Sequence, residues 1–229
     1  MRPPRSDIAV AGMRLIAATT AIAVTASVSL LLGLVGLVAI VTGGVGSNSR
    51  VADGVYSLPI PSTAISTASL VEAHHDYAAW DGTVPVDTPV LAMTSGVVTT
   101  VITAGVYPAD PNRCGNTIVI VGDDGASYVY CHLSAIDASE DMRVAAGQQI
   151  GLSGGAPGTV GAGNTTGPHL HLAVRTEGTP VCPQPLLLAI AMSRPITPSA
   201  APITGCVSGA TATDWSRWLD LQPNPEYNS

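Results

Sequence analysis

The sequence predicts a mainly β domain of antiparallel sheet, preceded by one N-terminal transmembrane helix. Two observations predict the sheet. Short β-branched and apolar runs recur between residues 88 and 176, punctuated by Gly, Asp and Pro turns. One hairpin is explicit, with Thr117–Val121 and Tyr128–Tyr130 flanking Gly122-Asp123-Asp124-Gly125. A third observation predicts the helix. No charged residue occurs from Leu15 to Ser49, and Ile22–Val41 at about 1.5 Å per residue spans the roughly 30 Å of a bilayer's hydrocarbon core.

Composition bounds the function. Of 229 residues 46% are hydrophobic and 11% charged, and the net charge of −7 argues against nucleic acid as a partner. The absence of Phe leaves the core to Val, Ile, Leu and Ala. Residues 1–14 carry Arg2, Arg5 and Arg14 against Asp7 alone, which favours a cytoplasmic N-terminus. Residues 15–45 then form the membrane anchor, with the remainder outside the cell membrane as a single-pass protein. A cleaved signal peptide is the rival reading, although Val41–Gly46 offers no A-x-A site. Residues 46–70, rich in Ser, Thr, Pro and Gly, read as a tether. Residues 71–176 form the β domain.

Gln148–Leu152 supplies a further strand, and a Gly-rich loop over 154–167 leads into Gly167-Pro168-His169-Leu170-His171-Leu172. Loops of that length in a compact domain are usually functional. Residues 177–229 form a tail packed on the domain, with helices expected at Leu186–Met192 and behind a capping Asp214. Four cysteines allow three connectivities. Local pairing, Cys114 with Cys131 and Cys182 with Cys206, is favoured because each pair brackets one short segment. Disulfides suit an extracytoplasmic domain. Free thiols are the other reading, and no C-x-x-C supports a cysteine metal site.

The chemistry centres on the histidines. Only five occur: His74, His75, His132, His169 and His171. On a strand, His169 and His171 share a face while Leu170 and Leu172 point to the other. A catalytic zinc site needs three protein ligands with N or O donors and one open position. His171 supplies one, and the segment from His74 to Asp81 is the only one that fits the rest. In extended chain His75 and Asp81 fall on one face, which selects His75 over His74, unless the backbone between them is irregular.

Five sequence elements then stand in order: the His75/Asp81 segment, Asp87-Thr88-Pro89-Val90-Leu91-Ala92, Tyr130-Cys131-His132-Leu133, Gly147-Gln148-Gln149-Ile150-Gly151, and Thr166-Gly167-Pro168-His169-Leu170-His171. The stretch resembles the lysostaphin-type, or LytM-like, zinc metallopeptidases that cut peptidoglycan. The resemblance implies a small antiparallel sheet or open barrel of the duplicated hybrid motif type, with the groove over one face. It implies Zn²⁺ bound by His75, Asp81 and His171, with His132 and His169 as catalytic histidines. The substrate implied is the peptide cross-links of peptidoglycan. One departure stands out. The family's first motif is His-x-Gly-x-Asp, but here Tyr77 stands four residues before Asp81. The alternatives are an inactive LytM-like wall-binding or activator domain and, more remotely, a phosphohistidine carrier. A regulatory protein partner is left open.

Overall fold

The computed structural model describes residues 49–51, 54–206 and 210–222. The expected cytoplasmic segment 1–14 and membrane helix over 15–45 lie outside the described residues. Among those described, no helix is long and apolar enough to cross a membrane.

The strands in chain order are β1 (Ser49–Val51), β2 (Gly54–Tyr56), β3 (Trp80–Gly82), β4 (Pro89–Leu91), β5 (Gly96–Ile102) and β6 (Thr117–Gly122). There follow β7 (Ser127–Cys131), β8 (Leu133–Ile136), β9 (Arg143–Val144), β10 (Gln149–Ser153), β11 (Leu170–Thr176) and β12 (Thr179–Val181). Helices α1 (Pro183–Ala191) and α2 (Ala212–Asp220) complete the chain.

The main sheet runs β12-β11-β7-β6-β5-β9 with β3 added against β11, and a smaller sheet runs β4-β10-β8. Every pairing within these two sheets is antiparallel. Neither sheet closes on itself, in keeping with the expected antiparallel sheet or open barrel, and the strands divide between two sheets. The reason lies at one residue. After β7 the chain reaches His132 in the left-handed region (φ 61°), leaves the main sheet there and enters the smaller one at Leu133.

The two sheets share one core. Ile118 and Ile120 of β6, Tyr128 and Tyr130 of β7, and Leu170 and Leu172 of β11 are fully buried with Val90, Leu133 and Ile150 of the smaller sheet. Burying each leucine contributes about 1.5–3 kcal/mol. The Tyr130 hydroxyl, deep in this core, accepts from the Met93 backbone N–H at 2.9 Å. Part of the expected tether belongs to the domain: Tyr56, Leu58, Ile60 and Leu70 are core residues. Apolar side chains spaced among Ser and Pro are enough to bury that stretch.

In the tail, β12 pairs with β11, and Leu186–Ile190, Trp215 and Leu219 join the same core. Disulfides link Cys114 to Cys131 and Cys182 to Cys206. Helix α2 is capped by Thr211, with Asp214 as the reciprocal member of a capping box. The expected capping Asp is thus the third helical residue, because Thr211 takes the cap position with its hydroxyl.

Candidate metal centre

Strand register builds the centre of the site. His171 of β11 lies opposite Asp81 of β3 on one side and Cys131 of β7 on the other. Directly opposed residues stand about 4.5–5.5 Å apart at Cβ. His171 is buried, and its Nδ1 lies 2.7 Å from Asp81 Oδ1. Its Nε2 lies 2.9 Å from the Tyr77 hydroxyl. Burial pushes the Asp81 carboxyl upward, but the His171 hydrogen bond and the His171, His169 and His74 rings outweigh it. The carboxyl is held below its ordinary range and is ionised at neutral pH.

His132 and His169 stand beside this pair. Their ring centroids are 4.7 Å apart, and His132 is 5.9 Å from His171. His169 Nε2 lies 3.8 Å from Asp81 Oδ1. Backbone carbonyls fix both tautomers. His132 Nδ1 donates to the Ala162 carbonyl at 2.7 Å, and His169 Nδ1 donates to that of Gly167 at 2.8 Å. In the neutral form of each ring Nε2 then carries no proton and can accept one. Burial, reinforced by His169, pushes the His132 imidazole down to about 4, so it is neutral at pH 7.

The Ala162 carbonyl is aimed by two interlocked loops. Asn116 N–H donates to Gly161 O and Asn164 N–H donates to Arg113 O, each at 2.8 Å. Gly115 has φ 68°, and a Cβ there would overlap the Gly161 carbonyl. Gly115 is therefore needed where the Cys114 segment passes the Gly-rich loop, at a separation only glycine permits.

The segment before β3 is bent, not extended. His74 N–H donates to the Ala79 carbonyl at 3.2 Å, closing residues 74–79 into a loop. The parity that selects His75 therefore does not apply. The His74 ring is packed 4.9 Å from that of His171 and 4.3 Å from that of Tyr77. Burial pushes its imidazole below its ordinary value, with His171 and His75 reinforcing the shift against Asp81. His75 stacks on His74 but is 75% exposed and sits 3.1 Å from Asp76. His74, His75 and Asp81 each offer a ligand atom, and these lie within 4.8 Å of one another.

The donor set suits a divalent metal. Zinc takes imidazole nitrogen and carboxylate oxygen at about 2.0–2.2 Å, which separates neighbouring ligand atoms by about 3.3 Å. Asp81 Oδ1 and His171 Nδ1 already stand at 2.7 Å. A histidine ligand atom within 4.8 Å of an Asp81 carboxylate oxygen offers a third donor. All five histidines and Asp81 line one groove of about 650 Å³, with Arg113 and Asn164 on its wall.

The sequence pattern missed the part Tyr77 plays. Its position four residues before Asp81 was the signal: the place of the family's first histidine is filled by a group that contacts His171. The two carbonyls that orient His132 and His169 carry no sequence signal, because any residue supplies a carbonyl.

Residues 75–183 match peptidase family M23. The DD-carboxypeptidase/endopeptidase Mpg of Neisseria meningitidis serogroup B is 38% identical over 108 residues, 47% of this chain and 21% of that protein. The peptidoglycan DD-endopeptidase ShyA of Vibrio cholerae is 37% identical over 103 residues, 44% of this chain and 20% of that protein. The chain spans about a fifth of the length of these relatives. Among solved structures, the catalytic domain of lysostaphin from Staphylococcus simulans is 33% identical. The likeness covers 47% of this chain and 75% of that one, with a TM-score of 0.38.

Proposed function

Since the chain belongs to peptidase family M23 through residues 75–183, we propose that it is a zinc metalloendopeptidase that hydrolyses the peptide cross-links of peptidoglycan. The uncharged segment 15–45 would hold it at the outer face of the cell membrane as a single-pass protein. One observation carries the reading: an ionised carboxylate paired at 2.7 Å with a buried strand imidazole, with two further imidazoles lining the same groove.

Asp81 and His171 would hold the ion, with His74 or His75 as the third ligand. Of the two, the ring packed against His171, His74, has the better claim. When bound, the metal supplies Lewis acidity at the scissile carbonyl and makes water a stronger nucleophile. The residues around it do the rest. His132 and His169, each with Nδ1–H held by a carbonyl, present a bare Nε2 to the groove. One takes the proton of the attacking water; protonated, it can return that proton to the leaving amine. The other, once it has taken a proton from solvent at Nε2, donates through that N–H to the developing oxyanion. Asp81, kept ionised by its imidazole neighbours, offsets the positive charge gathered in the site.

A second reading has its own observation. Tyr77 stands where the resemblance expects the first histidine ligand, which favours a metal-free wall-binding or activator domain. One experiment separates the two. Zinc content and release of soluble peptides from purified peptidoglycan are measured for the wild-type chain and for His171→Ala. The enzyme reading expects about one zinc per wild-type chain, and a loss of both metal and release of at least 100-fold in the variant. Equal release by the two proteins refutes it. A metal-free wild type that retains wall binding supports the second reading.

A further inference from the structure

The loop that carries His74, His75 and Tyr77 is gripped by a residue from the tail. Gln184, in the first turn of α1, is fully buried. Its Nε2 donates to the Ala79 carbonyl at 2.8 Å and to the Glu72 carbonyl at 3.0 Å. These carbonyls stand at the two ends of the segment 73–78. Two carbonyl acceptors fix the orientation of the amide, since only its nitrogen donates. The cost of that orientation is visible. Gln184 Oε1 is buried with no hydrogen-bond partner, the only such side-chain atom among the described residues. Interiors rarely leave a polar atom so, and the paired nitrogen is what the arrangement preserves.

The grip reaches the site by short links. Ala79 O also accepts from His74 N–H at 3.2 Å, and Ala79 is followed directly by β3, which carries Asp81. Glu72 Oε2 accepts from the Thr83 backbone N–H at 3.3 Å, tying the loop's start to the far end of β3. Gln184 is itself held. It lies two residues beyond Cys182, which is bonded to Cys206, and the α1 side chains from Leu186 to Ile190 are core. It also lies one residue beyond the segment that matches the family.

We propose that Gln184 is a positioning residue for the metal site. By holding the carbonyls of Glu72 and Ala79 it sets where His74 and Tyr77 stand relative to the Asp81–His171 pair. The tail helix thereby helps set metal affinity. This rests on reading the site as a metal centre, and the test keeps the two ideas apart.

The full-length chain is compared with Gln184→Met, which keeps length and bulk but removes both donors, and with Leu187→Ala. Leu187 is a fully buried residue of the same helix, so its truncation controls for weakened packing. Zinc affinity is read by competition with a chelator, and amide hydrogen exchange of residues 74–79 is read on the metal-free chain. In Gln184→Met the zinc dissociation constant rises about 10-fold, in the range found when groups that support metal ligands are removed. Exchange at 74–79 accelerates with it. Leu187→Ala lowers the melting temperature and leaves both readouts at their wild-type values. Unchanged readouts in Gln184→Met, or equal changes in both variants, overturn the proposal. If the wild-type chain takes up no zinc, the metal reading falls. The clamp is then judged by exchange alone: faster exchange only in Gln184→Met supports it, and any other pattern refutes it.

Discussion

Tyr77→Phe removes one atom from the centre, and the structure sets what that atom is worth. The hydroxyl sits 2.9 Å from His171 Nε2, and the opposite ring nitrogen faces Asp81. A hydroxyl both donates and accepts. In the metal-free chain, with the proton on Nδ1 toward Asp81, Tyr77 donates to Nε2. When Nδ1 is a metal ligand the proton moves to Nε2, and Tyr77 accepts it. Orienting partners of this kind raise the basicity of ligating imidazoles. A neutral hydrogen bond contributes about 0.5–1.5 kcal/mol net, equivalent to about a 2- to 13-fold change in affinity. Tyr77 is 42% exposed, so water replaces part of the loss and the lower half of that range is expected. The assay is zinc competition with a chelator, paired with the visible absorption of the cobalt-substituted chain. The cobalt bands should keep their intensity, since no ligand is lost. An unchanged zinc affinity refutes the orienting role. A loss above 100-fold with altered cobalt bands also refutes it, because Tyr77 would then be a ligand itself.

Two further outcomes are expected. His132 is depressed to about 4 in the folded chain against 6.5 unfolded, so below pH 6.5 the unfolded chain takes up a proton that the native one does not. Native stability is therefore full above pH 6.5 and falls toward pH 4, by about 3 kcal/mol at most. Urea unfolding of the metal-free chain at a series of pH values should show this decline flattened in His132→Gln; parallel curves would count against it. The Cys182–Cys206 bridge spans 24 residues of sequence. The chain-entropy relation assigns it about 3.4 kcal/mol. Replacing both cysteines by Ser should lower the melting temperature by about 7–14 °C in calorimetry, and a change of a degree or two would contradict the estimate.

Much of the site is legible in the sequence because strands translate spacing into direction. Leu170 and Leu172 alternate with His169 and His171, and burial of the leucines fixes which face the imidazoles take. The hairpin of β6 and β7 is equally plain, since Gly122-Asp123-Asp124-Gly125 can only be a turn between two β-branched runs. The parity argument that selects His75 over His74 lacks the footing that the strand argument has. Parity holds only for extended backbone, and residues 74–79 curl back to a hydrogen bond between His74 and Ala79. Leu58 and Ile60, two apolar residues among Pro and Ser, join the core ahead of the expected start of the β domain. Only the assembled sheets show that a pocket exists for them.

The position of Tyr77 then explains why the tail matters to the site. In the family pattern the first ligand stands four residues before the aspartate. Here that place holds a tyrosine that contacts His171, and the imidazole packed against His171 comes from His74, farther back along the loop. A ligand on a strand is held by the ladder on either side. A ligand on a bend has only the bonds that close the bend, and each residue left free costs about 1–2 kcal/mol of backbone entropy when metal orders it. Residues 74–79 make two bonds of their own, from His74 N–H to Ala79 O and from Asp76 N–H to His74 Nδ1, each at 3.2 Å. The other restraints come from outside: Gln184 at both ends, Thr83 on Glu72, and the Trp80 indole N–H on the Ser69 carbonyl at 2.8 Å. With His74 as the ligand, as proposed, the work of ordering it passes from the sheet to the groups packed around the loop. For that reason a residue more than a hundred positions away, on a helix beyond the matched segment, can govern a site it does not touch.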